Sequence, residues 1–202
     1  MSYSALILAG GMGSRLGYRE KALIDINGRP IIELIIERLE KVVDSIIISV
    51  RDRAQGEMLE AALGRRYRFA YDEHKNLGAI SGILAGLSEC EDEYSFVSAC
   101  DMPFVNANVV DLLFEKSKNY DAAIPRWEDG FLEPLHAVYR CVTMIHETKK
   151  AIEKGEKIII APIFKMKVNY VPVNEIRKLD PDLRTFININ TNEDIQETSG
   201  AF

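Results

Sequence analysis

Short apolar runs alternate with stretches of helical spacing along the first 125 or so of the 202 residues. Ala5–Leu8, Ile46–Val50, Tyr67–Tyr71, Tyr94–Ala99 and Ala122–Pro125 predict strands, being short, apolar and rich in β-formers. Between them, Ile31–Val43, Gln55–Leu63, Ala79–Leu87 and Val109–Lys118 carry apolar residues at helical intervals. Pro30 suits a first helical position, where its missing N–H costs nothing. Ile31, Leu34, Ile35 and Leu39 then share one face, with Glu33, Glu37 and Lys41 elsewhere. Alternation at this rhythm predicts an α/β fold: a mostly parallel sheet covered by helices on both faces, a three-layer sandwich. Nearly all-apolar strands such as Ile46-Ile47-Ile48 agree, because such a sheet has no wet face.

The rhythm breaks after about Pro125. Leu135–Tyr139 predicts a strand, Met144–Lys154 a helix stopped by Gly155, and Val168–Val173 and Phe186–Ile189 further short strands. No linker rich in Pro, Gly or Ser separates the pieces and no repeat is visible, so residues 1–202 are expected to form a single domain. Ligands of open α/β sheets bind beyond the carboxyl ends of the strands. That rule picks out Gly10–Lys21, Asp72–Gly82 and Cys100–Phe104 as one rim.

The first strand runs directly into Ala9-Gly10-Gly11-Met12-Gly13-Ser14-Arg15-Leu16-Gly17-Tyr18-Arg19-Glu20-Lys21. A loop of glycines lets a ligand approach the backbone, and successive N–H groups form an anion-binding concavity. Arg15 and Lys21 add full positive charge, as an outgoing pyrophosphate needs. A P-loop is excluded because Gly17 is followed by Tyr18-Arg19 rather than Lys-Ser or Lys-Thr. The dinucleotide fingerprint is excluded too, since Gly11, Gly13 and Gly17 are spaced one residue too long. What remains is a triphosphate grip.

Composition narrows the partners. A net charge of -6 argues against nucleic acid, which needs a basic face to displace counterions, yet a local cation cluster still admits an anionic small substrate. Cys90, Cys100 and Cys141 lack metal-ligand spacing and suit reduced thiols. With no secretory pattern at the start and no apolar run long enough for a membrane span, a cytoplasmic location away from membranes is expected.

Three further segments carry candidate chemistry. In Ser98-Ala99-Cys100-Asp101-Met102-Pro103-Phe104 an acidic residue follows an apolar strand directly, which places Asp101 at the strand's carboxyl end beside the glycine loop. A carboxylate there is suited to Mg²⁺, with phosphate oxygens and waters completing the shell. Helix capping is the alternative role, but Asn106 or Asn108 is better placed to start the helix near Val109. Gly78 and Gly82, four apart at a helix start, either let a base or ribose lie against the backbone or serve close helix–sheet packing. Near the end, strand alternation would put Asn188 and Asn190 on one side, opposite Ile187 and Ile189, where two amides can hydrogen-bond a polar ligand. Thr191 or Asn192 then caps a last helix beginning near Glu193. His74, His136 and His146 show no metal spacing, and the lysines from Lys149 to Lys167 form mostly a solvated face.

From Leu8 to Lys21 the chain resembles the nucleotidyltransferase signature Leu-Ala-Gly-Gly-x-Gly-x-Arg-hydrophobic-Gly…Lys. Together with the later segments, in matching order to Asp194, it resembles the molybdenum cofactor guanylyltransferases, which have a Rossmann-like, nucleotide-diphospho-sugar-transferase-like fold. The resemblance implies transfer of GMP from GTP to the phosphate of molybdopterin with Mg²⁺ and release of pyrophosphate. It implies a nucleotide-binding front over about 1–125 and an acceptor-binding part over 126–202. By that resemblance Leu8, Ala9, Gly10, Lys21, Asp72 and Asp101 would bind the nucleotide, and Asp101 also the metal; Gly11, Gly13, Gly78 and Gly82 join the nucleotide site from the loop and helix-start readings above. Arg15 and Lys21 would stabilise the leaving phosphates, and Asn188 and Asn190 match the family's Asn-x-Asn-Thr ending at the acceptor. Transient contact with molybdoenzyme maturation proteins follows from the same resemblance. Glu133-Pro134-Leu135 resembles the Pro-Leu strand lining the acceptor side. Two departures concern the base: Gly78-Ala79-Ile80-Ser81-Gly82 replaces Gly-Pro-Leu-x-Gly, and Ser49-Val50-Arg51-Asp52-Arg53 replaces the family's Asn-containing segment. Related cytidylyltransferases carry Leu-Ala-Ala-Gly, so Gly10-Gly11 favours the purine. A nucleotide sensor would have no reason to keep both Lys21 and Asp101. Sugar-phosphate transferases usually have a longer Arg–Lys gap and lack the Asn-x-Asn-Thr ending.

Overall fold

The computed structural model describes residues 2–13, 19–64, 66–74 and 77–199. Strand β1 (Ser4–Leu8) shows how the sheet is built, because its neighbours in sequence point to opposite faces. Ala5 and Ile7 enter one apolar layer, whereas Leu6 enters the other. After the glycine loop come two small antiparallel pairs, β2 (Met12–Gly13) with β3 (Arg19–Glu20) and β4 (Asp25–Ile26) with β5 (Arg29–Pro30). The chain continues as α1 (Ile31–Leu39), β6 (Ser45–Val50), α2 (Arg53–Leu63), β7 (Arg68–Tyr71), α3 (Ala79–Ser88), β8 (Tyr94–Ala99) and α4 (Ala107–Ser117). It closes with β9 (Ala122–Arg126), β10 (His136–Arg140), α5 (Cys141–Glu153), α6 (Ile160–Ile163), β11 (Val168–Pro172), α7 (Val173–Ile176) and α8 (Asn192–Ser199).

Seven strands join in the order β11-β9-β10-β8-β1-β6-β7. All pairs are parallel except those of β10, which runs antiparallel to β8 and β9. Residues of α1, α2, α4 and α7 pack on one face, and residues of α3, α5 and α6 on the other. The mostly parallel, three-layer α/β arrangement is therefore present, with the antiparallel strand falling where the sequence rhythm breaks. The first helix ends at Leu39, short of Val43, because the Leu39 carbonyl takes the N–H groups of Val42 and Val43 in a tight turn. Asp52, accepting from the Gln55 N–H, starts α2 two residues earlier than the apolar spacing suggests.

The predicted strand Phe186–Ile189 is absent, and a 3-10 turn over Arg184–Phe186 leads into an unpaired extended segment. Polar contacts, one local and two long-range, hold this stretch instead of a ladder. The Thr185 N–H donates to Asp180 at 2.7 Å, and its hydroxyl accepts from the Asn106 N–H at 3.1 Å while lying 3.0 Å from His136 Nε2. The Ile189 N–H then bonds the Asp101 carbonyl at 2.8 Å, which lays the segment along the sheet's carboxyl rim.

His136 is wholly buried, edge-on to Phe96 and Phe186, and burial pushes its pKa down to about 3. The unfolded chain takes up a proton near pH 6.5 that the folded chain refuses until about pH 3, so folding stability falls as pH drops through that window. One such group contributes a slope of about 1.4 kcal/mol per pH unit there. Urea unfolding at neutral and mildly acid pH should show a shallower acid loss for His136→Gln than for the parent chain. Parallel losses in both proteins would count against this assignment.

Candidate active site

At the carboxyl ends of β1, β6, β7 and β8 lies a cleft of about 580 Å³. The glycine loop enters it at Gly10 and Gly11, β6 contributes Ser49 and Val50 followed by Arg51 and Asp52, and β8 leads into Cys100 and Asp101. Asp72, Gly78 and Gly82 form the far wall, with Leu8, Lys21 and Leu135 completing it. The three rim segments expected from the sequence thus surround one cavity.

Lys21 and Asp101, eighty residues apart in sequence, meet here: Nζ donates to Asp101 Oδ2 at 3.0 Å and to Asn190 Oδ1 at 2.8 Å. Both charged side chains are 17% exposed, which makes the pair less screened than a surface ion pair. Oδ1 of the same carboxylate is buried with no hydrogen-bond partner among the described residues, an unspent acceptor at the edge of the cleft. Asn190 is fixed from behind, since its N–H and that of Thr191 bond Asp194 Oδ2 at 2.7 and 2.8 Å. Those backbone donors, with that of Asn190 strongest, hold the Asp194 carboxyl below its usual range. Burial drives the neighbouring Cys100 thiol upward in pKa, so it stays protonated and is not a nucleophile.

Asp72 is held by its own turn. Its Oδ1 accepts the His74 N–H at 2.8 Å and its Oδ2 the Ser81 hydroxyl at 2.6 Å. Ser81 sits in the first turn of α3, whose N-cap Gly78 has φ +68, a conformation that only glycine adopts without strain. A Cβ on Gly82 would lie 3.0 Å from Ser49 Oγ, so this glycine serves close helix–sheet packing and also lines the cleft.

Other expected residues lie elsewhere. Ala9 is buried, with its N–H on the Ser49 carbonyl, and Gly13 is paired with Arg19 in the β2–β3 ribbon. Asn188 is exposed and donates to the Phe186 carbonyl at 3.2 Å, whereas Asn190 accepts from Lys21, so the two amides are not presented as a pair. The cause is the missing strand, without which alternation no longer aligns them. Arg15 lies outside the described residues. Sequence reasoning overlooked Gln55, Glu20, Arg51 and Ser81. Only Asp52 and Gln55, at capping-box spacing, carried a readable signal.

A glycine-lined cleft at the carboxyl rim of a mostly parallel sheet, with a lysine and a carboxylate paired in its wall, defines a nucleotidyltransferase. Residues 5–166 match the MobA-like NTP transferase domain, and the chain belongs to that family. It is 50% identical over 202 residues to a probable molybdenum cofactor guanylyltransferase from Methanosarcina mazei, covering 98% of this chain and 90% of that protein. The solved structure of molybdopterin-guanine dinucleotide biosynthesis protein A from Archaeoglobus fulgidus superposes with a TM-score of 0.84. It is 32% identical, over 98% of this chain and 97% of that one. A 2-C-methyl-D-erythritol 4-phosphate cytidylyltransferase from Thermus thermophilus shares the fold at 16% identity, with a TM-score of 0.73 over 100% of this chain and 98% of that one.

Proposed function

We propose that the chain transfers GMP from GTP to the phosphate of molybdopterin, releasing pyrophosphate. The observation that carries this reading is the Lys21–Asp101–Asn190 cluster at the mouth of the glycine-loop cleft. Its support from kinship is the similarity to proteins named for guanylyl transfer on the molybdenum cofactor. The triphosphate lies over Gly10 and Gly11 toward Lys21, and the nucleoside extends toward Asp72, Gly78 and Gly82. The acceptor arrives from the 126–202 side, where Leu135 lines the cleft and Asn190 meets Lys21. Its phosphate attacks the α-phosphorus in line and pyrophosphate leaves. Positioning and charge neutralisation supply the acceleration, so no covalent intermediate on the protein is required.

Mg²⁺ fits the donor set. Among the described residues no cluster of three or more His, Cys, Asp or Glu forms a protein-only metal cage. One carboxylate with an unspent buried oxygen, beside a place for phosphates, is how this ion is ordinarily held. Asp101 would hold it, and the ion would supply neutralisation of charge on the phosphates. No described helix is long and apolar enough to cross a membrane.

The base is tested by incubating the purified protein with Mg²⁺, molybdopterin and each of GTP, CTP and ATP, then measuring pyrophosphate and the dinucleotide product. GTP is expected to be preferred, because groups left unpaired against a wrong base cost ~1–3 kcal/mol each. Turnover with CTP alone would replace guanylyl by cytidylyl transfer. Binding without turnover of any nucleotide would indicate a sensor.

A further inference from the structure

Gln55 is 1% exposed, yet its side chain is fully occupied in polar contacts. The start of α2 is held from both sides: Asp52 Oδ1 caps it by accepting the Gln55 N–H at 2.8 Å, and Gln55 Oε1 reaches back to accept the N–H of Arg51, the residue before the cap, at 2.7 Å. A glutamate would serve there equally well, because only acceptors are used. An amide adds two donors. Here Nε2 donates to the Ala9 carbonyl at 2.8 Å and to the Glu20 carboxylate. Ala9 directly precedes the first glycine of the loop, and Glu20 directly precedes Lys21. One buried amide therefore ties both ends of the glycine loop to the end of β6. Arg51 closes the arrangement, its Nη2 reaching the same Glu20 carboxylate at 3.2 Å. As a result Lys21 and Arg51 line the cleft and Glu20 does not.

We propose that Gln55 is a positioning residue for the nucleotide: its two amide donors hold the Glu20 carboxylate away from the triphosphate and keep Lys21 directed at it. This rests on the nucleotide-binding reading given above. A carboxylate released into a partly desolvated triphosphate site repels it. The penalty grows with the number of phosphates, whereas a loosened site weakens every ligand alike.

Gln55→Glu is the decisive variant, because it keeps the acceptor for the Arg51 N–H and removes only the donors. The charged groups facing position 55 are Glu20 from the loop's return and Arg51 and Asp52 from the end of β6. A second carboxyl against Glu20 and the Ala9 carbonyl has its pKa raised, so lowering the pH restores a proton and a donor. Dissociation constants for GTP and guanosine are measured by calorimetry at about pH 8 and about pH 5.5 for wild type, Gln55→Glu and Gln55→Ala, with circular dichroism to follow folding. At the higher pH Gln55→Glu should bind GTP at least ~10-fold more weakly than wild type and guanosine nearly normally. At the lower pH the GTP gap should close to within ~3-fold. Gln55→Ala should lose GTP affinity at both. Wild-type GTP binding by Gln55→Glu at the higher pH, a loss independent of pH, or equal losses for both ligands would each overturn the proposal. Wild-type protein that binds no triphosphate would overturn the nucleotide-binding reading itself, with which the role of Gln55 would fall.

Discussion

Asp101→Asn is expected to lower turnover by at least ~10²-fold, the scale of losing one major electrostatic group at a reacting centre. The fold should survive, because the backbone at this position is held independently of the carboxylate. The Cys100 N–H bonds the Leu8 carbonyl at 3.1 Å, and the Asp101 carbonyl accepts the Ile189 N–H at 2.8 Å. An asparagine of the same shape still offers its amide oxygen to Lys21. What it removes is the negative charge, and it places an N–H₂ group on one of the two carboxylate positions. The buried Oδ1 is where the loss falls, since that oxygen has no partner among the described residues and is the one left for a cation. Initial rates at saturating GTP and Mg²⁺, with unfolding curves alongside, separate the two effects. Near-normal activity in the purified variant would remove Asp101 from the metal site, whereas a large loss of stability would mean that its charge serves the fold.

Much of this arrangement was legible because interior parallel strands announce themselves. Ile46-Ile47-Ile48 is apolar on both faces, as befits a strand in the interior of the sheet, and it pairs in parallel with β1, which pairs in turn with β8. The chemistry of Lys21 and Asp101 was legible for a related reason, since each lies in a rim segment that topology brings to the same end of the sheet. The contacts between them were not. Nothing local in the sequence indicates that Lys21 bridges Asp101 and Asn190. The C-terminal stretch was the hardest to read. The alternation of Ile187, Asn188, Ile189 and Asn190 satisfies a strand pattern, but the segment is fixed through Thr185 by Asp180, five residues back, and by His136 and Asn106, partners far away in sequence. Ile187 is consequently 41% exposed while Ile189 is buried, which no two-residue period explains. Gln55 escaped for the opposite reason: its spacing from Asp52 already has a sufficient local explanation as a helix cap, and its donors act on segments 35 and 46 residues away.

Lys21→Ala should weaken GTP by ~10- to 100-fold while leaving guanosine almost untouched, as expected for a charge-assisted contact to a polyphosphate. Two losses add in the same direction. The first is the direct attraction between the ammonium and the phosphates. The second comes from Asp101, which in the variant loses the cation now 3.0 Å from its Oδ2 and faces the triphosphate uncompensated. Asn190 cannot replace the lysine there, because it meets Lys21 through its acceptor oxygen. Excess Mg²⁺ should therefore recover part of the GTP affinity by neutralising Asp101, but not all of it, since the metal does not restore the lysine's own contact. Lys21→Arg should rescue incompletely, because a planar guanidinium does not reproduce a compact ammonium bridging two oxygens. Calorimetric titrations of GTP and guanosine at several Mg²⁺ concentrations would decide. Equal losses for the two ligands would show that Lys21 maintains the shape of the loop through Asp101 and Asn190, and that the charge felt by the phosphates comes from elsewhere.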